Sequence, residues 1–178
     1  MSQKVLCLLN DGFEEIEVVT PVDVLRRAGV KVVIAAMGEK TAIGRGGIRI
    51  EADVSLSEVD AGGFDLLFIP GGPGVGDLRS DGRAAALAKK FSAAGKPVAA
   101  ICAAPLILMD AGLLEGKRFT AYHSVREELG GGLDERVVED GDIITSRGAG
   151  TALDFALALV TRLAGQAAAD RVAEEIMA

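Results

Sequence analysis

The 178-residue sequence predicts a three-layer α/β/α sandwich of the doubly wound, flavodoxin-like kind, with a parallel sheet, as one domain over residues 1–178. Three observations carry this. Short, continuous apolar runs such as Val5 to Leu9 (VLCLL) read as strands buried on both faces, the pattern of a parallel sheet. These runs alternate with stretches of helical period, as βα units do. The chain shows no composition break, low-complexity linker or internal repeat, and its length is that of one domain at roughly 100–200 residues each.

The first run ends at Asn10-Asp11-Gly12, a turn. From Glu14 to Ala28 the period becomes helical, with Val18, Val22 and Leu25 on one face and Gly29 as the stop. Pro21 lacks an N–H and implies a kink inside that helix. Residues 30–36 (VKVVIAA) form a second strand, and residues 65–69 (DLLFI) a third, closed by Pro70-Gly71-Gly72. Residues 84–94 read as a helix ended by Gly95, and residues 97–101 (PVAAI) as a strand. Cys102 follows that strand directly, and a helix over residues 103–111 ends at Gly112. Two runs at 136–139 and 142–145 flank Asp140-Gly141, a hairpin signal. Helices over 151–163 and 167–177 close the chain.

Composition narrows the function. The chain has 19 basic and 26 acidic side chains and a net charge of −7, which argues against a nucleic-acid partner and an anionic membrane surface. Its two cysteines, Cys7 and Cys102, are widely separated and its single histidine is His123. Neither a disulfide framework nor a cysteine- or histidine-rich metal site is expected. The N-terminal apolar run is too short for a signal peptide, and no stretch approaches the ~20 apolar residues of a membrane span. The expected location is the cytoplasm, with both thiols reduced.

In sheets of this kind, sites gather at the carboxyl ends of strands near the point where strand order reverses. Three strand ends are chemically unusual. Cys102 sits between a strand and a helix, a turn that aims its side chain up from the sheet as a nucleophile elbow does. A helix N-terminus there favours a thiolate, and Ala99, Ala100, Ala103 and Ala104 leave room for a sharp turn. The alternative is a small buried hydrophobe, and Cys7, in mid-strand, takes that reading. Pro70 to Gly76 is glycine-dense but lacks the Gly-Lys-Ser/Thr of a phosphate-binding loop and the spacing of a dinucleotide fingerprint. It is either a turn-rich loop or a source of N–H groups for an oxyanion. Asp11, Glu14, Glu15 and Glu17 form the third cluster. Glu14 and Glu15 complement the helix dipole, whereas Glu17 shares its lane with Pro21, Val24 and Ala28. Desolvation there raises its pKa and suits it to proton transfer.

Taken together these segments resemble the DJ-1/PfpI (ThiJ/PfpI) superfamily, and its DJ-1-like branch in particular. The carrying residues are Gly12-Phe13-Glu14-Glu15-Ile16-Glu17, the stretch from Pro21 to Gly29, Pro70-Gly71-Gly72, Ala100-Ile101-Cys102-Ala103, and the stretch from Thr145 to Thr151. They occur in family order and span residues 4 to 164. The resemblance implies a fold like that of class I glutamine amidotransferases and a reactive, oxidation-prone Cys102. It implies that Glu17 hydrogen-bonds the sulfur and handles protons, and that Gly72 and Ala103 offer N–H groups to an oxyanion. It also implies a homodimer with Asp23 and Arg27 at the interface, although their i, i+4 spacing equally suits an intrahelical ion pair. Two departures matter. The protease-like branch has a histidine after the nucleophile, where this chain has Ala103. The DJ-1 branch often has a pocket histidine in a Thr-x-His-Pro segment; aligned on Thr120, Tyr122 falls at that histidine and His123 at the proline. Both Tyr122 and His123 are therefore candidate site residues.

The function implied is cofactor-independent, cysteine-dependent chemistry on α-oxoaldehydes: glyoxalase III-type hydration of methylglyoxal, or deglycation of glycated groups. No metal or other cofactor is expected. The main alternative is a redox-sensing, stress-protective protein whose Cys102 is oxidised to sulfinate. An amidase, hydratase or peptidase, and a purely structural or chaperone-like dimer, are weaker alternatives.

Overall fold

The computed structural model describes residues 2–178. The chain forms β1 (Lys4–Leu9), α1 (Glu15–Arg27), β2 (Lys31–Ala36), β3 (Thr41–Ile43), β4 (Arg49–Glu51), β5 (Val54–Ser55) and β6 (Leu66–Ile69). It continues through α2 (Val75–Asp81), α3 (Arg83–Ala93), β7 (Val98–Ile101), α4 (Pro105–Asp110), β8 (Val137–Asp140), β9 (Ile143–Ser146), α5 (Ala152–Ala164) and α6 (Gln166–Glu175).

Seven strands make one sheet in the order β5-β2-β1-β6-β7-β9-β8. Every neighbouring pair is parallel except β8 with β9. Strand order reverses at β1, which has β2 on one side and β6 on the other. This is the doubly wound topology the alternating pattern predicts, closed by an antiparallel edge hairpin.

The two-sided burial follows from the period of two along each strand. Val5, Cys7 and Leu9 of β1 enter one core with Val18, Val22 and Leu25 of α1 and Phe155 and Leu159 of α5. Leu6 and Leu8 enter the other core with Leu78 of α2, Phe91 of α3 and Ile107 of α4. The sheet is thus sandwiched between two separate apolar layers, the three-layer arrangement expected. The glycine stops act through a shared geometry. At the end of α1, Gly29 (φ +81°) donates to the Arg26 carbonyl, and Val30 donates to the Leu25 carbonyl. That is a Schellman closure. The same pair of bonds recurs at Gly95 after α3 and at Gly112 after α4.

Helix α1 continues through Pro21, as its helical period predicts. Several boundaries and other elements differ from expectation. The β3–β4 hairpin, the two-residue edge strand β5 and helix α2 were not anticipated. The hairpin's strands are three residues each and mostly exposed, so they carry no apolar run to read. Helix α2 begins at Val75, inside the glycine-dense stretch read as a loop. The helix after Cys102 begins at Pro105 rather than Ala103. Cys102 has φ +66°, which no right-handed helix accepts, and Pro105 then sets the first helical φ.

Candidate active site

The carboxyl ends of β1, β6 and β7 meet where strand order reverses, and the three predicted strand ends come together there. Cys102 is fixed by its backbone. Its N–H donates to the Ser146 carbonyl of β9 at 2.9 Å, and its carbonyl accepts from the Tyr122 N–H at 2.8 Å. These bonds hold a left-handed φ that costs a side-chain-bearing residue on the order of 1–3 kcal/mol. The result is a thiol raised off the strand end into a cavity of about 290 Å³, lined among others by Glu14, Glu17, Arg45, Gly72, Ala103 and Tyr122.

Glu17 lies below this cavity and is 1 % exposed. Its Oε2 accepts the Gly71 N–H at 3.0 Å. Its Oε1 is buried with no hydrogen-bond partner, and the Cys102 side chain lies beside the carboxyl. The resemblance implies a hydrogen bond between the two. The two side chains are adjacent, and each shifts the other's pKa as a hydrogen bond between them does: Cys102 lowers that of Glu17, and Glu17 raises that of Cys102. Burial pushes the Glu17 carboxyl up to about 7, against the pull of Cys102 and the Gly71 N–H; the nearby Glu14 charge pushes the same way as burial. This is the desolvation its helical lane predicts.

The thiol departs from expectation. Burial, then the Glu17 charge, pushes Cys102 up to about 12. The helix N-terminus does not offset this, because α4 starts three residues later and is only 6 residues long. The N–H groups of Gly72 and Ala103 do pull the sulfur's pKa down, so both amides face it. When Glu17 takes up a proton it loses the charge that opposes a thiolate at Cys102.

The glycine-dense loop is explained by packing. A Cβ on Gly71 would lie 2.7 Å from both Cys102 Cβ and Glu17 Oε2. A Cβ on Gly72 would lie 2.4 Å from the Gly12 carbonyl oxygen. The loop therefore presses backbone to backbone against the β1–α1 turn, and Glu14 N donates to the Gly71 carbonyl at 3.1 Å.

The remaining candidates separate. Tyr122 lines the thiol cavity. His123 is exposed, with its ring 4.2 Å from the Tyr122 ring, and lines an adjoining groove instead. It follows Tyr122 at the start of a short 3-10 turn and does not line the thiol cavity. Asp23 and Arg27 form the intrahelical pair at 2.9 Å, and Arg27 also reaches Glu175 of α6 at 2.6 Å. Cys7 is fully buried in the sheet, as read from its mid-strand position. Sequence reasoning missed Gly71 as the donor to Glu17, and it missed Arg45 and Ser124 as cavity residues. Arg45 arrives on the β3–β4 hairpin and pairs with Glu14 at 3.4 Å; its flanking glycines marked a loop but not where the loop docks. Among the described residues, no cluster of three or more His, Cys, Asp or Glu is placed to hold a metal, and no helix is long and apolar enough to cross a membrane.

A doubly wound sheet with a thiol on a strained strand end, a buried carboxylate beneath it and two amides facing it defines a cysteine-elbow protein of the α/β class. The family model for the DJ-1/PfpI family matches residues 3–162, and the chain belongs to that family. It is 38% identical over 184 residues to Protein dj-1beta of Drosophila melanogaster, covering 99% of this chain and 98% of that protein. It is 36% identical over 148 residues to a deglycase of Thermococcus kodakarensis, covering 81% of this chain and 89% of that protein. Among solved structures, oxidized Toxoplasma gondii DJ-1 superposes with a TM-score of 0.93 at 33% identity, over 99% of this chain and 98% of that one.

Proposed function

We propose that the chain is a cofactor-independent enzyme acting on α-oxoaldehydes, by glyoxalase III-type hydration of methylglyoxal or by the related removal of glycating groups. The observation that carries this reading is the buried Glu17 beside the Cys102 side chain, near neutrality in pKa, with one carboxyl oxygen unpartnered. Glu17 takes the thiol proton, and the thiolate adds to the aldehyde carbon to give a hemithioacetal. The Gly72 and Ala103 N–H groups stabilise its oxyanion. Glu17 then carries a proton from the former aldehyde carbon to the neighbouring carbonyl carbon, which converts the hemithioacetal to a thioester. Water hydrolyses the thioester, releasing the hydroxy acid and the thiol. The sum is methylglyoxal plus water to lactate. A relative of similar length carries the name deglycase, which supports the same substrate class. The test is lactate formation by the wild type and Cys102→Ala. Equal rates, or none from either, sink the proposal.

A second reading, redox sensing, draws on the same unpartnered oxygen. A protonated Glu17 can donate to an oxidised Cys102 sulfur, and the similar solved Toxoplasma gondii DJ-1 is in an oxidized form. The high thiol pKa works against it by keeping the thiolate scarce. Intact mass after graded peroxide decides: oxidation of Cys7 before Cys102 removes this reading.

We also propose a homodimer through α1. Its outer lane carries Ile16 and Val19, each 52% exposed, followed by Asp23 and Arg27. Ile48 of the hairpin loop adds a further exposed apolar side chain beside the start of the helix. An apolar centre flanked by opposite charges is self-complementary about a two-fold axis. Light scattering of Val19→Lys should report a monomer; a dimer of unchanged mass excludes this face.

A further inference from the structure

Beside the thiol cavity lies a larger groove of about 650 Å³. The two share Arg45, Tyr122 and Ala149, so a ligand long enough to pass Tyr122 occupies both. The groove is lined by the side chains of Arg45, Arg126, Arg136, Arg147 and His123, with Asp134 as its one carboxylate. On a chain of net charge −7, this is a local reversal of sign.

The arginines are not equivalent. Arg136 is tied to Asp154 and to the Gly150 carbonyl. Arg126 is anchored by its Nε to the Ala121 carbonyl at 3.0 Å, which fixes the direction of its fork. Its Nη2 then donates to Asp134 Oδ1 at 3.2 Å, and Arg147 Nη1 donates to the same oxygen at 3.1 Å. Two guanidinium groups thus converge on one carboxylate oxygen of a side chain that is 80% exposed. Both bonds are longer than the roughly 2.7–2.9 Å of strong charge-assisted pairs, and an ion pair this exposed gains little. A carboxylate held so loosely yields to a better-placed oxyanion.

We infer that this groove is the subsite for an oxyanion, carboxylate or phosphate, at the far end of a ligand whose carbonyl end reaches Cys102, and that Asp134 is the resident carboxylate it displaces. The inference rests on the reading of the Cys102 cavity as a carbonyl site, and it adds aldehydes with an anionic tail to the substrate class. Ionic selectivity comes from Arg126 and Arg147, with Arg45 placed where the two cavities join.

Calorimetric titration of the Cys102→Ser chain, which cannot form the hemithioacetal, tests it with two matched pairs. Succinic semialdehyde is compared with butanal, and glyceraldehyde 3-phosphate with glyceraldehyde. At least one anionic member should bind about tenfold or more tightly than its neutral partner. The pair that shows the effect identifies carboxylate or phosphate as the tail. Arg147→Gln, whose side chain bonds only Asp134, should erase the difference, and Asp134→Asn should widen it. Equal affinities within both pairs, or differences that neither substitution moves, overturn the subsite. Turnover of methylglyoxal by the intact chain is read separately. Turnover without anion preference keeps the enzyme and removes the subsite; anion preference without turnover does the reverse.

Discussion

Glu15 and Glu17 stand two residues apart on one helix, both buried, and their carboxyls move in opposite directions. Burial works against the charge of each. At Glu15 it is overcome. Oε1 accepts from Gly46 N at 2.7 Å and Ile48 N at 3.3 Å, and these donors, the residue's own N–H and the Arg45 charge hold the carboxyl below its usual range. At Glu17 one backbone donor meets Oε2, and Oε1 is left without a partner. The lesson is that burial alone does not make a carboxylate reactive. The number of N–H groups aimed at it decides, so one residue pins a hairpin and its neighbour handles a proton.

Four experiments probe this contrast. The largest effect is expected from Glu17→Gln, which removes the proton carrier and keeps the shape. Lactate formation from methylglyoxal should fall about 10²–10⁴-fold, while Glu15→Gln should leave it within a few-fold. Equal losses would erase the distinction between the two residues.

The second is the pH dependence of stability. Glu17 goes from 4.5 unfolded to about 7 folded, so the native state holds the proton longer. Stability from this group is full below 4.5 and drains as pH rises to about 7, by about 3 kcal/mol at 1.36 per unit. Urea melts of the wild type relative to Glu17→Gln should show that decline. Glu15 is shifted the other way, so its contribution is present above 4.5 and is lost as pH falls below it. The wild type relative to Glu15→Gln should therefore slope oppositely.

Third, Gly71→Ala should destabilise by about 2–3 kcal/mol in urea melts, because the new methyl meets Cys102 Cβ and Glu17 Oε2 together. A neutral outcome would mean that the loop shifts freely and that the Glu17 contact is not rigid. The smallest effect is local. Glu15→Gln should speed amide exchange at Gly46 and Ile48 roughly tenfold, with the sheet unaffected.

The legible and illegible parts of the molecule divide by range. Strands β1, β2, β6 and β7 announce themselves because a strand buried on both faces has nothing but apolar residues to show. Gly29, Gly95 and Gly112 mark helix ends because the closing bonds are local. Glu17 is legible for a similar reason, since its lane belongs to its own helix. Arg45 is not, because its role depends on where a small exposed hairpin docks, and Glu15 fixes that docking from across the chain. The thiol's acidity is not legible, because opposing influences compete at it. A helix start beside Cys102 suggested a lowered pKa, but φ +66° displaces that start, and burial beside a carboxylate prevails. The departure at Thr120 left Tyr122 and His123 open, and only the turn at residue 123 separates them.

The two backbone bonds at Cys102, to Ser146 and from Tyr122, use no side-chain atom of residue 102. The elbow is thus a socket whose shape is independent of what is plugged into it. A serine, an alanine or a glycine at this position inherits the same pose, and glycine inherits it without strain. In evolutionary terms a lineage on this scaffold exchanges its nucleophile by a single codon change and keeps its architecture, so chemistry and fold are free to diverge at different speeds.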